Sequence, residues 1–385
     1  MYRLNEDQQR VVRQVADVAD RHIAPDSARV DRDSSFPQES IAALGDHGLL
    51  GLTIPASFGG LGHGLRTMAA ALDEVAQRCA STAMVYLMHM CGVACYVAVP
   101  DKTDAHLRAA ARGKHLSTLA FSEQGSRSHF WAPVSRATSA DGNGRVRLSA
   151  NKSFVTSAGH ADGYVVSTLA ADAKQPIEST IYLVLSGDRG IAASGQWRGV
   201  GMRGNASAPM VLDNVTLDAG RALTAPGKGL DMMLGIVLPA FQTGSAAVAV
   251  GIAEAAVQAT TRHLTSARLE HMNSSLAELP TLRARLAGMR IETDRARAHL
   301  VSVLDSLEAP GPATQLLVLE AKAAATEAAV TVTDAAMRAC GGAAFGGAHG
   351  IERMFRDARG PIVMAPTSDQ AYDFIGRALC GLEVF

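Results

Sequence analysis

The period of the apolar residues changes twice along this chain, and no other feature restricts its fold as strongly. From residue 4 to about 117, apolar positions recur at helical spacing, as in VVRQVADVADRHIA and MAAALDEVAQ. Pro25, Pro37, Pro55 and the glycines of FGGLGHG punctuate those helices. From about 118 the spacing shortens to alternation. VSRATSADGNGRVRLSA holds two alternating runs around Asp141, Gly142, Asn143 and Gly144, which predicts a hairpin. TIYLVLS and APMVLDNVTL, rich in branched side chains, predict further strands. After about 225 the helical period returns in the Ala-rich runs GSAAVAVGIAEAAVQATTRHL and LEAKAAATEAAVTVTDAAMRA. The order predicts an α+β chain with an N-terminal helical domain over 1–117, a middle β domain over 118–224 and a C-terminal helical bundle over 225–385.

Size and composition exclude several function classes. The chain has 385 residues, 48% of them hydrophobic and 19% charged, which gives room for large packed cores and argues against disorder. A net charge of -1 lacks the basic excess of a phosphate-tracking protein, so no nucleic-acid partner is expected. No apolar span reads as long enough to cross a bilayer, and the opening MYRLNEDQQRVV lacks the apolar centre of a secretory signal. A cytoplasmic protein without a membrane partner is expected. Cys91 and Cys95 lie one helical turn apart with His89 close by, a pattern that a metal pair and buried small hydrophobes both satisfy. Buried hydrophobes are the favoured reading. No CxxC or HExxH spacing occurs, and no metal is expected.

Three regions together point to a family. They are DRDSSFPQESIAALGDHGLLGLTIPASFGGLG, then LAFSEQGS with KSFVTSAGHADGYVV and GVGMRGNASAPMVLDNV, then CGGAAFGGAHGIERMFRDAR. In kind and order they resemble the acyl-CoA dehydrogenase family over nearly the whole chain. The resemblance implies an N-terminal helical domain, a middle β domain and a C-terminal four-helix bundle. It implies FAD held between the β domain and that bundle, with a neighbouring subunit completing the site, hence a homo-oligomer, a dimer or a homotetramer. It places Phe121, Ser122, Gly125 and Ser128 along the cofactor, together with Phe154, Val155 and Thr156. Phe154 stands where the family often has tryptophan. Arg268 matches an arginine that meets FAD pyrophosphate across the subunit interface, although His271 and Met272 replace the Phe-Gly expected after it. Arg338 replaces a family glutamine and offers a fork for phosphate. Gly341 and Gly342 permit close backbone approach.

The same resemblance exposes a gap. Family members take the α proton of an acyl-CoA with a glutamate while the β hydride passes to the flavin. Counting from Arg356, the usual Tyr-Glu-Gly-Thr-Ser context falls on Met364, Ala365, Pro366, Thr367 and Ser368, so Ala365 replaces the glutamate. Alanine takes no proton. The alternate base position, on an earlier helix, falls on Phe241. Pro239 and Gln242 stand where many relatives use aspartate and arginine near the substrate. The candidates left for altered proton chemistry are His129, Asp369 and Gln242, with Arg127 beside His129 in SRSHFW. Asp369 also reads as a helix N-cap, and His129 as a loop residue packed beside Phe130 and Trp131.

Three functions follow as expectations. One is a flavoenzyme acting on an acyl thioester with non-standard proton chemistry, served by an electron-transfer partner. The second is a monooxygenase on the same fold, fed reduced flavin by a separate flavin reductase; it needs neither an α-proton base nor a grip on CoA. The third is a non-catalytic subunit that completes a partner's FAD site in a mixed oligomer.

Overall fold

The computed structural model describes residues 2–126, 129–141 and 144–384. Its first part is helical: α1 (Glu6–Val18), α2 (Ser27–Arg32), α3 (Gln38–Asp46), α4 (Leu65–Arg78), α5 (Ala80–Val97) and α6 (Pro100–Ala111). The start of α1 follows from its sequence. Asn5 Oδ1 accepts the Gln8 amide at 2.9 Å, and Gln8 Oε1 accepts the Asn5 amide at 2.9 Å, a reciprocal capping box.

The middle part contains β1 (Ser117–Ala120), β2 (Thr138–Ser139), β3 (Val146–Val155), β4 (Gly163–Leu169), β5 (Ser179–Leu185), β6 (Ile191–Ala193) and β7 (Ala208–Leu217). They form two sheets, ordered β1-β4-β5 and β2-β3-β7-β6. β2 and β3 pair antiparallel, as the alternating runs predict, although Gly142 and Asn143 of their turn lie outside the described residues. The two sheets differ in burial for a physical reason. β3 alternates buried and open positions, so one face meets the core and the other meets water. β4 and β5 are buried along nearly their whole length. Tyr164, Val166, Tyr182 and Val184 face the inter-sheet core, whereas Val165, Ile181 and Leu183 join the helical core behind. A strand covered on both faces needs continuous apolar sequence, which TIYLVL supplies.

The last part is helical again: α7 (Gly229–Met232), α8 (Leu238–Ser266), α9 (Pro280–Glu308), α10 (Thr314–Phe345), α11 (Ile351–Asp357), α12 (Gly360–Val363) and α13 (Ser368–Leu379). A two-residue hairpin, β8 (Arg268–Leu269) with β9 (Ser274–Ser275), separates α8 from α9. The N-terminal segment, α4, α8 and α9 share a buried polar network. Arg297 donates from Nε to Asp73 at 3.2 Å and from Nη2 to Glu254 at 3.0 Å, and the Tyr2 hydroxyl donates to Asp73 at 2.9 Å.

One expectation needs correction. Ala80–Val97 and the helical stretch Gly229–Ser266 are both long and apolar enough to cross a membrane. Within this fold 89% and 83% of those windows are buried, because α5 and α8 are central core helices. A helix apolar on every face is what such a position demands.

His89 lies in α5 with both ring nitrogens occupied by backbone: Nε2 donates to Leu50 O at 2.9 Å, and Nδ1 accepts the Ser117 amide at 3.1 Å. Cys91 and Cys95 are fully buried, and burial raises both thiols, so the three side chains behave as core residues. Burial pushes His89 down to about 4 from its ordinary 6.5. The neutral ring therefore contributes its full stabilisation above pH 6.5 and loses it as pH falls toward 4. By pH 5 this amounts to about 2 kcal/mol. Denaturant titrations at pH 7 and 5 are expected to show that loss, with a smaller one in His89→Gln; equal losses in both proteins refute the assignment.

Candidate functional site

The sequence-predicted flavin residues meet because two stretches run side by side. Glu123 forms a bridge with Lys152, and the Ser153 amide donates to Ser122 O at 2.8 Å, which draws LAFSE against NKSFVT. The β3–β7 register shifts between Lys152 and Val155. Such a bulge re-aims a side chain. Phe154 takes φ +54° and turns its ring outward, leaving it 70% exposed.

A cavity of about 590 Å³ opens beside this bulge. Its β-domain walls are Phe121, Ser122, Gly125, Ser153, Phe154 and Thr156, joined by Trp197, Gly201, Met202 and Ser207. Its helical walls are Met84 and Met88 of α5, Val237, Leu238 and Phe241 around the start of α8, and Val363 at the end of α12 with Met364 and Ala365 beyond it. Leu119 and Phe130 add to the apolar lining. Ala365 and Phe241, the two positions to which the resemblance assigns a base, both line this cavity. Neither carries an ionisable group.

Glu123 is the one carboxylate on the wall among the described residues. Lys152 Nζ donates to its Oε1 at 2.6 Å, and the Val134 and Ser135 amides donate to Oε2 at 2.9 and 2.7 Å. The Ser135 hydroxyl donates to Oε1 at 2.5 Å. Burial raises the carboxyl, but Lys152 and these donors outweigh that and hold it below the usual range. A carboxylate so saturated is a poor proton acceptor. Lys152 also donates to Ser167 O at 2.5 Å, so the pair fastens the loop that carries Phe121 and Ser122.

Two further buried groups fix the helical wall. Lys322 of α10 donates to Met364 O at 2.7 Å and Pro366 O at 2.5 Å, on either side of Ala365. Burial pushes its ammonium down to about 7. Asp357 accepts the Met202 amide at 2.6 Å and joins the β domain to α11; burial pushes its carboxyl up to about 6. Gly201 lets the segment between β6 and β7 pack against the end of α11, because a Cβ there would fall 2.3 Å from Arg356 O.

The other expected residues lie elsewhere. Val155 sits behind the wall in the inter-sheet core. Ser128 and Arg127 lie outside the described residues. His129 is exposed, its ring edge-on to Trp131 at 5.1 Å, and is not on the cavity wall. Asp369 is exposed within the first turn of α13, and Thr367 is the N-cap instead, accepting the Gln370 amide. Gln242 is fully buried beside Phe241, and neither its Nε2 nor its Oε1 has a hydrogen-bond partner. Arg268, Arg338, Gly341 and Gly342 are exposed and away from the cavity, with Arg268 donating to Asn273 and Arg338 to Asp334. Gly341 breaks the helical geometry of α10 with φ +54° and ψ -133°.

The walls suit a planar heteroaromatic ring. Phe154 presents an open aromatic face, and Thr156 and Ser207 bring paired hydroxyls 2.9 Å apart to the lining. Ser122, Gly125 and the positive φ of Gly125 (+101°) leave backbone groups close to the space. These residues fit the edge and face of a flavin.

Three domains of one family match the chain in order. Residues 5–111 match the N-terminal domain of acyl-CoA dehydrogenases, residues 118–215 the middle domain and residues 227–380 the C-terminal domain. The fold and the site define a flavoprotein oxidoreductase scaffold, and the chain belongs to the acyl-CoA dehydrogenase family. It is 27% identical to a probable acyl-CoA dehydrogenase, YngJ, of Bacillus subtilis, over 93% of this chain and 94% of that protein. It is 28% identical to the cyclohex-1-ene-1-carbonyl-CoA dehydrogenase of Geobacter metallireducens, over 98% of this chain and 99% of that one. Butyryl-CoA dehydrogenase from Megasphaera elsdenii has the same fold, with a TM-score of 0.91, 22% identity and coverage of 98% and 99%.

Proposed function

We propose that the protein is an FAD-dependent oxidoreductase acting on an acyl thioester or a closely related acyl substrate, without a carboxylate base at the reacting carbon. The observation that carries the reading is the cavity itself, whose wall holds Ala365 and Phe241, the positions the resemblance assigns to a base, and a Glu123 consumed by Lys152. Phe154, Thr156 and Ser122 would hold the flavin ring, which supplies a two-electron acceptor. Met84, Met88, Leu238 and Phe241 exclude water and bind the apolar part of the substrate. Lys322 holds the turn that presents Ala365. With no ionisable acceptor free among the described wall residues, the proton of an already acidic carbon–hydrogen bond would pass to a water molecule at the open side of the cavity, beside exposed Phe154 and Val363. The exposure of Arg268, Arg338, Gly341 and Gly342 supports a homotetramer in which they serve a neighbouring subunit's cofactor.

Anaerobic mixing of the FAD-loaded protein with a panel of acyl thioesters tests this. Bleaching of the flavin near 450 nm is expected with substrates bearing an activated carbon–hydrogen bond, at a rate that changes little with pH. No bleaching by any acyl thioester, coupled with rapid oxygen consumption when a reductase supplies reduced flavin, overturns the proposal in favour of oxygenation.

A further inference from the structure

We infer that Trp197 is a second aromatic wall of the flavin site, facing the same space as Phe154; the inference rests on the flavin reading above. Trp197 lies in the segment that leads from β6 to β7, and the family resemblance assigns it no role. It lines the cavity and is only half-buried. Its ring meets that of Phe154 edge-on, with centroids 6.5 Å apart and planes at 88°.

The ring is held rigidly. Its Nε1–H donates to Met202 O at 3.0 Å, and the Met202 amide is itself held by buried Asp357. Gly199 lies beneath the indole, where a Cβ would fall 2.4 Å from the ring. A half-buried tryptophan so anchored retains apolar surface that the described residues do not cover fully. Large planar ligands are bound by such surfaces. The occupant is the flavin ring rather than the acyl group because of the side from which the indole approaches. Trp197, Phe154, Thr156 and Ser207 all belong to the β domain, whereas the apolar acyl wall comes from α5, α8 and the turn after α12.

Tryptophan emission gives a readout independent of turnover, since the chain has only two tryptophans and Trp131 is buried. The apoprotein and its Trp197→Phe variant are titrated with FAD, with riboflavin and with ADP. The difference between their emissions isolates Trp197. It is expected to fall by more than half with FAD and with riboflavin and to stay constant with ADP. Trp197→Ala is expected to weaken FAD binding about 2- to 12-fold, as loss of one aromatic contact implies. Trp197→Leu replaces it if circular dichroism shows that the alanine variant is unfolded. FAD binding with an unquenched difference, or an unchanged Kd in the folded variant, overturns the inference and leaves the flavin reading intact. Failure of the unsubstituted protein to bind any flavin overturns both.

Discussion

Ala365→Glu is expected to accelerate anaerobic flavin reduction by saturated acyl thioesters by about 10²–10⁴-fold, the usual contribution of a positioned general base. Ala365 lines the cavity, and the carbonyls on both sides of it are held by Lys322, so a side chain grown from its Cβ starts from a fixed turn. The new carboxylate would enter the cavity among Met364, Leu238 and Phe241. Burial there raises its pKa toward neutrality, which suits a base working near pH 7. Rapid-mixing absorbance with butyryl and longer thioesters measures the rate, and Ala365→Gln separates proton transfer from shape. The rate with glutamate should rise as pH passes through the carboxyl's raised pKa. If glutamate and glutamine give equal rates while FAD stays bound, position 365 does not face the reacting carbon and the reading of the cavity fails.

Lys152→Met is expected to lower unfolding stability by about 3–5 kcal/mol, the cost of stranding one member of a buried ion pair. The side chains of Lys152 and Glu123 are 0% and 4% exposed, so water does not relieve the stranded carboxylate. The double variant Glu123→Gln/Lys152→Met should recover a large part of the loss, because a neutral amide oxygen still accepts the Val134 and Ser135 amides. Denaturant unfolding gives the energies, and FAD affinity gives a second measure, since the pair fastens the Phe121 and Ser122 loop. A single variant as stable as the parent means that the pair contributes nothing net.

Much of this architecture was legible in the residue pattern. The two changes of apolar period locate the helical and β parts, and the doubly buried β5 announces itself in the unbroken run TIYLVL. Ala365 and Phe241, placed by counting along motifs, do face one cavity. Other parts were harder to read. His129 and Asp369 were plausible proton carriers by composition, yet side-chain direction puts both outside the wall. Thr367 rather than Asp369 caps α13 because the helix starts at Ser368, two residues earlier than an Asp369 cap would place it. Val155 fell victim to the bulge, which sends Phe154 outward and leaves its neighbour in the core. Lys152 carried a usable signal that was missed: counting by twos from Leu148 through Ala150 puts it on the buried face of β3, where a lysine demands a partner. Lys322 sends the same message from an apolar helix run. Trp197 sent none, since its role depends on a loop conformation set by contacts distant in sequence.

The split between sheet-derived and helix-derived walls has an evolutionary consequence. Residues that greet the prosthetic group and residues that greet the acyl chain descend from separate stretches of polypeptide, so drift in one leaves the other largely undisturbed. A lineage can exchange Met84, Leu238, Phe241 or Ala365 while Phe154 and Thr156 stay in place. New chemistries on this scaffold are therefore reached by changing the tenant's room and keeping the hearth.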